Sequence, residues 1–142
     1  MLIWIINSFL IALAVLIHYE MLRGLSIIIP KLSIGHRLRV LFGVLGAITA
    51  HVLEVWAFGL GYYFMQNYPE LGSFVGMQNG TLLDSVYFSF SAYTSLGLGD
   101  IAPLGGIRFT AGLEALVGLV LIAWSASFLY LEMTHYWKEK KA

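Results

Sequence analysis

Three apolar segments, each long enough to cross a lipid bilayer, limit the folds open to this chain. They cover residues 2–19, 40–64 and 109–131. A helix rises 1.5 Å per residue, so about 20 mostly apolar residues span the ~30 Å hydrocarbon core of a membrane. Of the 142 residues, 59% are hydrophobic and only 11% are charged, against about 25% charged in soluble proteins. The sequence therefore predicts an all-α membrane protein with three transmembrane helices.

The first apolar segment has a cleaved signal peptide as its competing interpretation. No Lys or Arg precedes it, and no small-x-small cleavage site followed by a soluble domain comes after it, so a retained helix is favoured. The stretch 24–33 is apolar but short and interrupted by Pro30. We expect it to lie along the cytoplasmic interface as part of a linker.

The basic residues predict an orientation. All but one of the eight lysines and arginines lie between the first two apolar segments or after the third, and the exception is Arg108. They are Arg23, Lys31, Arg37 and Arg39 in the first loop and Lys138, Lys140 and Lys141 in the tail. By the positive-inside rule, the N-terminus lies outside the cell and the C-terminus in the cytoplasm of a multi-pass protein of the cell membrane.

A fourth apolar run, residues 82–93, is too short to cross. Its 12 residues span about 18 Å as a helix, so we expect a re-entrant helix, with Gly80 and Thr81 at its capped start. The run leads into TSLGLGD, residues 94–100. Irregular backbone at membrane depth occurs only where protein buries it or where it lines a watery path. Its glycines let carbonyl oxygens take directions closed to other residues, and rings of carbonyls can replace the water shell of a cation.

The segment YFSFSAYTSLGLGDIAP resembles the pore loop of tetrameric potassium channels, in which an aromatic-rich pore helix runs into TTVGYGD and then a proline. The following RFTAGLEALVGLVLIAW is similar to the inner helix of the small bacterial ion-channel members, so the resemblance covers roughly residues 84–130. It implies that residues 37–142 form a pore domain of outer helix, pore helix with filter, and inner helix. Residues 1–36 then add a transmembrane helix and the cytoplasmic interfacial linker.

The resemblance also implies a homotetrameric pore in membrane lipid that conducts potassium passively, without enzymatic activity, nucleic acid or a cofactor other than pore ions. Backbone carbonyls of the filter, and the Ser95 hydroxyl, would bind potassium along Ser95, Leu96, Gly97 and Leu98, with Gly99 completing the filter. Thr94, Asp100 and Glu114 would support it. Gly118 stands near the family's gating hinge, although close helix packing explains a small residue there equally well.

Leu98 departs most from the family pattern, because a tyrosine or phenylalanine usually stands there. Two functions stay open at this point: a potassium channel and a weakly selective monovalent cation channel. No Ser-His-Asp spacing, phosphate-binding glycine loop or nucleic-acid-binding basic patch is present in the sequence.

Ionisable residues inside membrane segments are functional candidates because their burial in lipid is costly. His51 and Glu54 stand at i and i+3 on one helix face, so they can pair with each other or with the first helix, and they are candidates for pH sensing.

A membrane metal-binding protein is a third function, since the sequence holds carboxylate–histidine ligand types. These are His18 with Glu20, His51 with Glu54, and Glu132 with His135. We expect His18 near the inner end of the first helix, Glu132 and His135 at the cytoplasmic end of the third, and Glu54 past mid-membrane. The three pairs are therefore not expected to converge.

Overall fold

The computed structural model describes residues 1–77 and 79–139, with side chains up to residue 134. The described residues form four α-helices, one 3-10 turn and two short strands. The helices are α1 (Leu2–Ile28), α2 (His36–Met65), α3 (Leu82–Tyr93) and α4 (Ile107–Glu139), the 3-10 turn is Ile29–Lys31, and the strands are β1 (Ser73–Val75) and β2 (Ala102–Leu104). Within the described part of the chain, three helical segments are long and apolar enough to span a membrane, as predicted: Leu2–Lys31, His36–Met65 and Ile107–Thr134.

Helix α1 is longer than the sequence pattern indicated, so the predicted interfacial linker over residues 24–33 is wrong for most of its length. The helix continues through Gly24 to Ile28, and Pro30 falls at the start of the 3-10 turn, where a missing amide hydrogen costs no helical bond. Packing explains the extension, because Leu25 and Ile29 are buried in a cluster with Phe128 of α4. His18 therefore lies in the middle of α1 and not near its end.

Helix α3 occupies residues 82–93, the bounds predicted for the short apolar run. Thr81 begins it with a capping box: its hydroxyl accepts from the Asp84 amide at 3.2 Å, and the Asp84 carboxylate accepts from the Thr81 amide at 3.0 Å. Helix α2 approaches α3 closely at Gly59, where a Cβ would lie 2.9 Å from the Val86 Cα. The short helix is thus held directly against α2.

A two-stranded antiparallel sheet, which the all-α prediction did not include, joins the segment before α3 to the segment after the TSLGLGD loop. Strand β1 pairs with β2 so that Phe74 faces Pro103. The Phe74 ring also packs edge-on against Phe88 of α3, with ring centroids 4.9 Å apart. Three-residue strands carry too little alternation to be recognised in sequence; here tertiary contacts decide their pairing.

Contacts between helix ends show which ends of the long helices lie together at each end of the molecule. Trp4 at the start of α1 stacks edge-on against Phe109 at the start of α4, with centroids 5.0 Å apart. At the other end, Leu25 of α1 lies against Gly46 of α2. The connection between α2 and α4, which carries α3 and the TSLGLGD loop, therefore lies at the same end of the molecule as the N-terminus. Lys140 and Lys141, used in predicting the orientation, lie outside the described residues.

Candidate ion pathway and its supporting clusters

The TSLGLGD loop has a backbone in which left-handed residues alternate with others. The φ angles of Ser95, Gly97 and Gly99 are 56°, 60° and 83°, and Ser95 is the only non-glycine residue with positive φ among those described. Residues with positive φ let the backbone carbonyl oxygens take directions that the right-handed and extended regions do not allow. Carbonyl oxygens freed in this way are the groups that bind dehydrated cations in channel filters.

Three successive amide groups in the middle of the loop, those of residues 96–98, donate to one residue of α3, Ser91. The amides of Leu96 and Gly97 donate to the Ser91 carbonyl at 3.0 and 3.4 Å, and the Leu98 amide donates to the Ser91 hydroxyl at 3.1 Å. Among the described residues, no hydrogen bond has a carbonyl oxygen of residues 95–99 as its acceptor. The amides of residues 96–98 are thus satisfied by α3, whereas the carbonyl oxygens of residues 95–99 have no described donor.

The loop is exposed in the single chain. The whole of residues 94–100 is exposed, including Leu96 at 65% and Leu98 at 52%. A Cβ at Gly97 or Gly99 would meet no described atom within 4 Å, so within one chain it is the positive φ that calls for glycine there.

Two of the predicted filter-support residues hold the ends of the loop. The Thr94 hydroxyl donates to the Phe90 carbonyl at 2.7 Å and so satisfies one of the last acceptors of α3. At the other end, the Tyr87 hydroxyl donates to Asp100 Oδ2 at 2.8 Å. This hydrogen bond to Asp100 raises the pKa of the Tyr87 phenol.

Glu114, the third predicted support residue, is fully buried behind α3. Its carboxylate accepts from the Tyr62 hydroxyl of α2 and from the Ser89 hydroxyl of α3, each at 2.5 Å. The Ser89 hydroxyl also lies 2.8 Å from the Val55 carbonyl oxygen, so its single proton has two acceptors. Glu114 thus links α4 to both α2 and the middle of α3.

Glu54 is the centre of a second buried group, which we name the Glu54 cluster: His18, His51, Glu54 and Tyr93. His18 Nδ1 lies 2.8 Å from Glu54 Oε1, and His51 Nδ1 lies 3.2 Å from Oε2. The Tyr93 hydroxyl donates to Glu54 Oε2 and lies 2.9 Å from His51 Nδ1. Glu54 therefore pairs both with its neighbour on α2 and with the first helix, as the sequence predicted, and through Tyr93 it also contacts the last residue of α3. Its role in pH sensing stays a prediction.

The expectation that the carboxylate–histidine pairs stay apart is partly wrong. The ligand atoms of His18, His51 and Glu54 all lie within 4.8 Å of one another, because α1 is long enough to place His18 at the level of Glu54. Glu20 is not part of this group and forms an exposed pair with Arg23 at 3.2 Å. Glu132 lies outside it as well, and the side chain of His135 is outside the described residues.

Gly118 lies where α4 crosses the end of α3, and a Cβ there would collide with the Tyr93 carbonyl oxygen. Close packing is thus a sufficient reason for glycine at this position, and the hinge role stays a prediction.

The sequence did not indicate four residues that contact the predicted site: Ser91, which binds the loop amides, Tyr93, which contacts Glu54, and Tyr62 and Ser89, which bind Glu114. The hydroxyl groups of Ser89, Ser91 and Tyr93 recur within the apolar run 82–93 but do not reveal their partners, and nothing marked Tyr62.

A comparison with known protein families matches residues 50–134 to the ion channel family. The match covers more than half of the chain and extends from the middle of α2, through α3 and the TSLGLGD loop, into α4. Searches of curated proteins and of solved structures return no significant match. A family match over this share of the chain, joined to three helices able to span a membrane, places the chain by sequence: it belongs to the ion channel family.

Proposed function

We propose that this protein is a potassium channel in which the carbonyl oxygens of residues 95–99 and the Ser95 hydroxyl replace the water shell of the ion. The observation that carries the proposal is the loop backbone: φ alternates in sign, the amides of residues 96–98 are bound to Ser91, and the carbonyls of residues 95–99 have no described partner. Membership in the ion channel family supports ion conduction.

The proposed channel is a tetramer of identical chains. One chain supplies one row of oxygens, whereas a dehydrated cation needs oxygens on all sides, as four filter strands around an axis provide. Exposure of Leu96 and Leu98 in the single chain supports this assembly, since an isolated chain would leave the loop facing lipid. In this arrangement α4 lines the pore, α2 surrounds it, and α1 is peripheral.

We place the N-terminus and the filter end outside the cell and the C-terminus in the cytoplasm. The basic residues of the first loop lie at the end of the molecule opposite the filter, which supports this orientation. The chain has no cysteine, so a single introduced one reports sidedness. Glu70→Cys should react with an impermeant maleimide on intact cells, and Ser33→Cys should react only after lysis; the reverse pattern would invert the proposed topology.

A weakly selective cation channel is the second candidate. Leu98 favours it, because this side chain cannot donate the hydrogen bond by which a tyrosine at this position would be held to its surroundings.

Flux through proteoliposomes tests both candidates. Under opposed potassium and sodium gradients, the potassium channel predicts a reversal potential close to the potassium equilibrium value, and near-equal permeabilities would establish the weakly selective alternative. Leu98→Tyr should raise the preference for potassium.

Gly97→Ala should reduce flux to background, because an L residue tolerates φ near 60° poorly. Gly24→Ala is the matched control, since Gly24 is in a helix with open space around it, and it should retain wild-type flux. Wild-type flux in Gly97→Ala would exclude the loop as the ion path.

A further inference from the structure

The Glu54 cluster contains three side chains of metal-ligating type, and they come from two helices that are far apart in the sequence. His18 comes from α1, and His51 and Glu54 come from α2. His18 and Glu54 are fully buried, whereas the His51 side chain keeps 20% of its surface exposed. In the described part of the chain, these three residues form a group whose donor atoms all lie within 4.8 Å of one another.

We propose that His18, His51 and Glu54 bind a divalent transition metal ion, with Zn²⁺ as the ion that fits the donor set best. Imidazole nitrogen and carboxylate oxygen are its usual donors outside cysteine sites. With bonds of about 2.0–2.2 Å, a tetrahedral Zn²⁺ holds neighbouring donor atoms about 3.3–3.5 Å apart. Glu54 turns one oxygen to each imidazole, with Oε1 2.8 Å from His18 Nδ1 and Oε2 3.2 Å from His51 Nδ1. These separations would open by about 0.1–0.7 Å around an ion bound between the three side chains.

The ring of His18 is already oriented as a metal ligand requires. Its Nδ1 faces Glu54, and its Nε2 lies 3.4 Å from the Ser125 hydroxyl of α4. Histidines that bind a metal through one nitrogen hold the other to an oxygen, which fixes the tautomer. Trp124 lies against the same ring, with centroids 5.2 Å apart, and limits its rotation.

The Tyr93 hydroxyl supplies the fourth position. It contacts both Glu54 and His51, so an ion between these residues is within its reach. Two neutral imidazoles, the Glu54 carboxylate and the neutral Tyr93 hydroxyl make a donor set of nitrogen and oxygen atoms, with Glu54 offsetting one charge of the ion. The exposed side of His51 provides the entry path.

The site is separate from the ion path, and its test does not depend on conduction. Protein purified without a polyhistidine tag is treated with chelator and titrated with Zn²⁺, and bound metal per chain is measured by elemental analysis after gel filtration. Co²⁺ added in place of Zn²⁺ should give the strong visible absorption of a tetrahedral site. We expect one ion per chain.

Glu54→Gln and His51→Gln keep side-chain bulk but each removes a ligand. Each should weaken Zn²⁺ binding more than Ser125→Ala does. Ser125→Ala removes the hydroxyl beside His18 Nε2, and the loss of such a supporting contact typically weakens metal binding roughly 10- to 100-fold. Glu70→Gln and His36→Gln remove the same groups elsewhere and should bind Zn²⁺ as wild type does. Circular dichroism and gel filtration select variants that keep the wild-type fold.

Undiminished stoichiometry and affinity in folded Glu54→Gln and His51→Gln would overturn the proposal, as would a wild-type protein that binds no Zn²⁺ after gel filtration. Either result would leave the flux predictions untouched.

Discussion

Glu54 and Glu114 are both fully buried carboxylates on the long helices that flank α3, yet their surroundings differ. Glu114 is bound only by hydroxyl groups, from Tyr62 and Ser89, and contacts the middle of α3. Glu54 is bound by two imidazoles as well as by Tyr93, at the end of α3 from which the TSLGLGD loop begins. Two buried residues of one type against the same short helix thus have different roles in packing: Glu114 joins α4 to α2 and α3 through hydroxyl groups, whereas Glu54 gathers imidazoles from α1 and α2.

Glu54→Ala tests the carboxylate that has more side-chain partners, and it should have the largest effect on stability. It leaves His18, His51 and Tyr93 buried without their shared acceptor, so we expect a loss of about 3–5 kcal/mol in the free energy of unfolding. Denaturant titration in detergent with chelator present, followed by tryptophan fluorescence, measures the loss without a metal contribution. A cost below that of Glu114→Ala would reverse the ranking of the two carboxylates.

Glu114→Ala should cost less, about 2–3 kcal/mol, because only Tyr62 is left without an acceptor. Ser89 keeps the Val55 carbonyl at 2.8 Å. The same denaturant titration measures the free energy of unfolding lost in Glu114→Ala. The double variant Ser89→Ala with Glu114→Ala should lose little more than Glu114→Ala alone. Strictly additive losses would mean that Ser89 and Glu114 do not interact.

Tyr93→Phe separates anchoring of the filter from anchoring of the helix. The loss of one buried hydrogen bond should lower stability by about 1 kcal/mol, but because Tyr93 immediately precedes the filter loop, the ratio of potassium to sodium permeability should fall severalfold. Ser89→Ala is the matched control, with a similar stability loss and unchanged permeability ratio. Equal ratios in the two variants would show that the position of the anchor along α3 does not matter.

Tyr87→Phe should have the smallest effect, since the bond to Asp100 is exposed in the single chain. The raised pKa of Tyr87 means that the hydrogen bond contributes fully below pH 10.0, the phenol's ordinary value, and is lost as the pH rises through the raised value. The difference in ultraviolet titration between wild type and Tyr87→Phe should therefore show a phenol ionising above pH 10.0. Ionisation at or below that pH would argue against the bond to Asp100.

The spans and the short helix were predictable because their signals are local. A run of apolar residues reports its own length, and Thr81 with Asp84 marks the start of α3 within four residues of sequence. The residues that hold the TSLGLGD loop were harder to predict, since Ser91 and Leu98 are joined across a turn that contains Gly97 with a positive φ. No pattern in the sequence specifies which hydroxyl of α3 receives those amides.

The membrane-spanning helices, the short apolar helix and the glycine loop could be inferred from sequence, because hydrophobic length and glycine content are local properties that do not depend on distant partners. Packing between the elements, in contrast, decides that α1 continues past Gly24, that β1 pairs with β2, and that His18 meets Glu54. The hydrogen bonds of the Glu54 cluster join residues as far as 36, 39 and 42 positions apart in the chain. Such contacts follow from the packing of whole helices, which depends on where small residues such as Gly59 and Gly118 let them approach.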